Sequence, residues 1–156
     1  MHSHRLLLSL VIFGLLLTAL NAQAGTSLSS GQVLTGSWFM KVTPNPDPQA
    51  PPPFSALITF TADHNFISTE SDEQVITQGI WAKTGDRQFS LTGYQFEFEM
   101  LNVLNGTFKV RAKLTLEGGD HFDGRYHVDF FDPNGNLLFS GEGALAGTRI
   151  QLEPMP

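Results

Sequence analysis

Residues 121–136 read HFDGRYHVDFFDPNGN. From His121 to Asp129 every second residue is charged or ionisable: His121, Asp123, Arg125, His127 and Asp129. Between them stand Phe122, Gly124, Tyr126 and Val128, with Phe130 following. Alternation with period two is the signature of a strand, because successive side chains leave the backbone on opposite faces. A row of His and Asp on one face also raises the question of a metal site. Along a strand His121 and His127 are roughly 20 Å apart, whereas a metal with bonds of ~2 Å needs its ligands to converge on one point. Arg125 between them repels a cation. The row is therefore expected to be a solvated face, with Phe122, Tyr126, Val128 and Phe130 turned to the interior, and no metal or other cofactor is expected.

The same pattern extends in both directions. DPNGN (132–136) imitates the start of a calcium loop through Asp132, Asn134 and Asn136, but Gly135 falls at the fourth position, and no Glu follows at the twelfth. Asn-Gly between two alternating apolar runs is a hairpin turn. Upstream, VLNGTFKVRAKLTLE sets Phe108, Val110, Ala112, Leu114 and Leu116 against Lys109, Arg111, Lys113 and Glu117. Downstream, LLFSGEGALAGTRI closes the chain. VLTGSWFMKV, FSALITFT, FISTES, ITQGIWAK and QFSLTGYQFEFEM complete a set of eight strands, joined by short turns except at TPNPDPQAPPP. No window after the leader has helical period. Eight sequential strands with short connections predict an all-β chain, an antiparallel up-and-down barrel that closes and so removes its edges. A two-sheet sandwich ranks second, because the turns are too short for Greek-key crossings.

The N-terminus carries a different message. MHSHR, then an uncharged LLLSLVIFGLLLTAL, then NAQAG with Ala22 and Ala24 at small-residue positions, reads as a secretory signal peptide cleaved after Ala24. The apolar run is shorter than the ~20 residues that span a bilayer. The expected organisation is a leader over 1–24, a flexible lead over 25–32 and one barrel domain over 33–153, in a secreted or periplasmic protein that is not membrane-embedded once mature. The absence of cysteine means that core and backbone hydrogen bonds must hold the fold alone. A net charge of −6 with scattered Lys and Arg lacks the basic footprint of a nucleic-acid binder. Neither a Gly-x-Ser-x-Gly elbow nor a phosphate-cradling glycine loop is present.

The aromatic supply of the inward faces matches the apolar lining of ligand pockets, and an eight-stranded barrel is wide enough to hold one small ligand. The partner expected is a small hydrophobic molecule, contacted by Trp38, Met40, Phe54, Phe60, Trp81, Phe98 and Tyr126. In QFSLTGYQFEFEM the apolar parity switches: Phe89 and Leu91 share one face, Tyr94, Phe96, Phe98 and Met100 the other. A bulge at Gly93 would bring both groups inside. Without it, Gln95, Glu97 and Glu99 face the lumen.

GSWF, Gly36 to Phe39, resembles the Gly-x-Trp signature of the lipocalins and the wider calycin barrels. The resemblance implies that Trp38 packs at a closed end of the barrel against an Arg near the end of the last strand, the position of Arg149 here. First and last strands lying antiparallel bring the two together. It also implies an enzymatic alternative, a cyclase or isomerase in which the cavity enforces a reactive conformation and Glu97, or failing that Tyr94, moves a proton. A small outer-membrane barrel is the third reading, since alternation alone does not distinguish lipid-facing from lumen-facing apolar rows.

Overall fold

The computed structural model describes residues 33–72, 75–99 and 103–155, so the segments expected to form a leader (1–24) and a lead (25–32) lie outside the described residues. Eight strands follow one another: β1 (Gly36–Pro44), β2 (Phe54–Phe60), β3 (Asn65–Glu70), β4 (Ile76–Lys83), β5 (Gln88–Phe98), β6 (Leu104–Glu117), β7 (His121–Phe131) and β8 (Leu137–Arg149). Each pairs antiparallel with its neighbours in sequence, and β8 returns to β1, giving a closed up-and-down barrel. Closure leaves no edge strand to template aggregation, which suits a chain without disulfides.

The DPNGN segment is a turn. Asp132 Oδ1 accepts hydrogen bonds from the backbone N–H groups of Asn134 (2.9 Å) and Asn136 (2.8 Å), and Gly135 takes a φ of 85° that suits glycine. The carboxylate that a calcium site would need is spent on holding the hairpin.

The bulge expected at Gly93 does not form. β4 and β5 pair without interruption through Gly79↔Gly93 and Gln78↔Tyr94, and β5 and β6 pair through Gly93↔Val110 to Glu97↔Gly106. The register slips only between Glu97 and Phe98. Gly93 serves another purpose: a Cβ there would lie 2.5 Å from Phe66 Cζ, so the missing side chain makes room for a ring arriving from β3. Parity therefore holds, Gln95 turns inward, and Tyr94, Phe96 and Phe98 stand on the outer surface. Phe98 is 51% exposed and packs edge-on against Phe96, which removes it from the lumen.

Large side chains concentrate at one end of the interior. Trp38, Phe60, Leu114, Leu116 and Phe122 are essentially inaccessible there, with the Trp38 and Phe122 rings 5.0 Å apart. Trp81 joins this end, between Phe60 and Phe89 at ring separations of 6.1 and 5.9 Å. At the opposite end the inward positions include Val42, Ala56, Val110, Gly141 and Gly143. A barrel of constant strand number has a roughly constant bore, so small residues leave part of it unfilled.

The charged row of β7 lies on the outer face. His121, Asp123 and Arg125 are exposed, but Asp129 is only 8% exposed because its neighbours cover it. Ser140 donates to Asp129 Oδ1 at 2.6 Å, His127 Nε2 sits 2.9 Å from that same oxygen, and Arg111 pairs with the other carboxylate oxygen. Among the described residues no group of His, Cys, Asp and Glu is arranged to hold a metal ion.

Candidate functional site

The closed end is built around Arg149. Register places it directly opposite Trp38, with the guanidinium carbon 4.1 Å from the indole centroid. Its three nitrogens donate to three backbone carbonyls: Nε to Gly119 (2.7 Å), Nη1 to Thr35 (2.7 Å) and Nη2 to Val33 (2.6 Å). The indole N–H of Trp38 donates to the Leu34 carbonyl at 2.9 Å. Gly36 has a φ of 128°, and a Cβ there would lie 2.6 Å from Arg149 Nη1. The Gly-x-Trp spacing thus has a local reason. Glycine admits the guanidinium that the tryptophan two residues later receives, and together they plug this end.

Toward the other end lies a cavity of about 770 Å³, open at its mouth and within the range of small-molecule sites. Met40, Ile58, Phe66, Leu91, Ala112 and Leu145 form its apolar floor and lower walls. Phe54, Phe108 and Tyr126 stand higher, and residues of the β1–β2 proline loop, from Pro44 to Pro51, border the mouth. The backbone N–H of Asn45 donates to the Glu142 carbonyl at 2.8 Å, tying the start of that loop to β8.

Of the residues expected to contact a ligand, Met40, Phe54 and Tyr126 line this cavity. Trp38, Phe60 and Trp81 do face inward, but they belong to the packed end and do not reach it. The Trp81 ring is engaged by His64 at a centroid distance of 4.7 Å, and its N–H donates to the Thr61 carbonyl at 3.2 Å. Glu97 keeps the inward parity but lies nearer the strand end than Gln95, half-buried and off the cavity wall. Tyr94 is outside, with Lys109 Nζ 5.8 Å from its ring centroid. The structure thus separates the pair, as strand parity requires, and neither member lines the cavity.

A polar row crosses the wall at mid-height. Ser68 on β3 stands opposite Thr77 on β4, and the Thr77 hydroxyl donates to Gln95 Oε1 on β5 at 2.8 Å. All three line the cavity, and each is at most 5% exposed. Above them are Glu70 and Tyr126. Burial first, and then the nearby Glu70 carboxylate, push the Tyr126 phenol above its ordinary range, so it remains a hydrogen-bond donor. Ser68 and Thr77 were visible in the sequence only by parity, as residues on the faces of Phe66 and Trp81. Small hydroxyl residues on an inward face are unremarkable until the neighbouring strands place them side by side.

No protein-family model matches the chain, and neither the curated proteins nor the solved structures compared with it give a match.

Proposed function

We propose that this protein is a secreted or periplasmic barrel of lipocalin type that binds one small hydrophobic molecule. The observation that carries the reading is the cavity itself: a largely apolar, one-ended space of about 770 Å³ above a plugged base, with a few polar groups on its wall. Evolution toward stability alone favours filling such a space, because each buried methylene removed from a core costs about 1 kcal/mol. The plug of Gly36, Trp38 and Arg149 supports the lipocalin-like assignment, and the N-terminal leader supports export. The outer-membrane reading is disfavoured because barrels of that kind turn apolar rows to lipid and polar rows to the lumen. Here Trp38, Phe60, Phe66 and Leu91 turn inward.

Native mass spectrometry of protein purified from its own host tests the proposal. The expected result is a co-purifying small molecule, released on denaturation. A clean apo mass, together with failure to take up the neutral apolar dye N-phenyl-1-naphthylamine, would refute it.

A further inference from the structure

We infer that the cavity selects an uncharged amphiphile whose carbonyl or hydroxyl oxygen docks on the Ser68–Thr77–Gln95 row, and that it rejects carboxylates of the same length. This deepens the proposed binding function and rests on it.

The first observation is unspent hydrogen-bonding capacity inside the bore. The Ser68 hydroxyl makes no hydrogen bond among the described residues, although the residue is only 5% exposed. Among the described residues no fully buried side-chain N or O atom lacks a hydrogen-bond partner, so this hydroxyl is not sealed in the wall. Gln95 uses Oε1 to accept from Thr77, which leaves the two N–H donors of its carboxamide without a partner. Donors that only water reaches, set in an otherwise apolar wall, are a place where a ligand oxygen replaces that water and completes the set. Donors predominate, and the Tyr126 phenol adds another from a facing strand. The complementary atom is therefore an acceptor oxygen.

The second observation is charge. Asp47, Glu70, Asp72 and Glu142 line the cavity toward its mouth, whereas no Lys or Arg does among the described residues. His127, on the outward row of β7, borders the mouth and is already held by Asp129 (2.9 Å) and Glu142 (3.1 Å). A carboxylate entering this space would lose its hydration without gaining a counter-ion, and it would pass a rim of like charge. A ketone or alcohol meets neither obstacle.

Displacement of N-phenyl-1-naphthylamine at pH 7 tests the inference with three probes of one chain length: 2-undecanone, 1-undecanol and undecanoate. The ketone and the alcohol are expected to displace the dye at concentrations at least about tenfold below that of undecanoate. Gln95→Leu should weaken 2-undecanone about fivefold, the worth of one hydrogen bond, while the dye, which has no oxygen, binds as before. Ser68→Ala provides an independent variant with less disturbance of packing and should weaken 1-undecanol similarly. If undecanoate competes as well as the ketone, the selectivity is wrong while the binding function stands. If both variants bind all three probes like the parent, the row is not the docking point. If the dye is not taken up at all, the binding function itself fails, and the selectivity with it.

Discussion

Arg149→Lys isolates what the guanidinium fork does, since charge is retained and shape is lost. Arg149 donates to three carbonyls on two separate segments and covers the Trp38 ring. A lysine ammonium reaches one of those carbonyls. Of the two bonds lost, the one to Val33 is at an exposed site, where water replaces it at little cost. The other is partly buried, and a hydrogen bond to a charged donor there contributes about 1.5–3 kcal/mol. Loss of the planar stack on the indole adds about 0.5–1 kcal/mol. The expected destabilisation is about 2–4 kcal/mol, which lowers Tm by about 8–16 °C at ~4 °C per kcal/mol for a domain of this size. Urea unfolding followed by tryptophan fluorescence measures it, because both Trp38 and Trp81 are buried in the packed end. Arg125→Lys, on the exposed outer face, is the control and should change stability by less than about 0.5 kcal/mol. An Arg149→Lys protein as stable as the Arg125→Lys control would refute the idea that the fork plugs the barrel.

Gly93→Val should destabilise by at least about 1–3 kcal/mol by driving a side chain into Phe66, and Phe66→Ala in the same chain should recover part of that loss; strictly additive effects in a double-mutant cycle would show that the two positions do not meet. The outer cluster of β6–β8 sets a pH dependence. The Glu142 and Asp129 hydrogen bonds raise the pKa of His127, so its stabilising contribution is complete below its unfolded value near 6.5 and is lost as pH rises through the folded value. Asp129 is held below its ordinary value, chiefly by the Ser140 hydrogen bond and then by His127 and Arg111, so its contribution is present above about pH 4 and is lost as pH falls through the folded value. Urea midpoints measured across this range should decline on the alkaline side in the parent but not in His127→Gln; an unchanged decline in the variant would assign it elsewhere. Replacing the β1–β2 proline loop by a tight turn should leave folding intact and accelerate dye release in stopped-flow fluorescence, and a protein that no longer folds would make the loop structural.

The enzymatic alternative now has a narrower test. Glu97 lies off the cavity wall, so Glu97→Gln is expected to leave dye uptake and exchange unchanged. The titratable groups that line the cavity include Glu70 and Tyr126, on β3 and β7.

Strand number, order and closure were legible because each follows from local regularities: alternation along a strand, the Asn-Gly turn and other short connections, and the absence of helical period. Alternation placed the charged row of β7 on the outer face, although Asp129 in that row is covered by its neighbours instead of solvated. The Trp38–Arg149 plug was legible through the resemblance of GSWF and the antiparallel meeting of first and last strands. By contrast, Gly93 was misread. An extra residue there would have gathered Phe89, Leu91, Tyr94, Phe96 and Phe98 inside, and burial of that much apolar surface is a strong argument within one strand. What overrode it was Phe66, brought over Gly79 and Gly93 from β3, whose ring requires both glycines to stay in register.

Alternation also says which face a residue occupies without saying at what height along the bore. Trp38, Phe60 and Trp81 share the inward face with Met40, Phe54 and Tyr126, but only the last three border the cavity, since stagger between strands determines which side chains meet at one level. The same stagger aligns Ser68, Thr77 and Gln95, residues separated in sequence and joined only where β3, β4 and β5 lie side by side. Local periodicity thus determined that this chain forms a closed β-barrel and which side of each strand faces in. Cross-strand register alone decided which inward residues fill the bore and which surround a space, because that depends on the summed volumes of side chains from eight strands at each level.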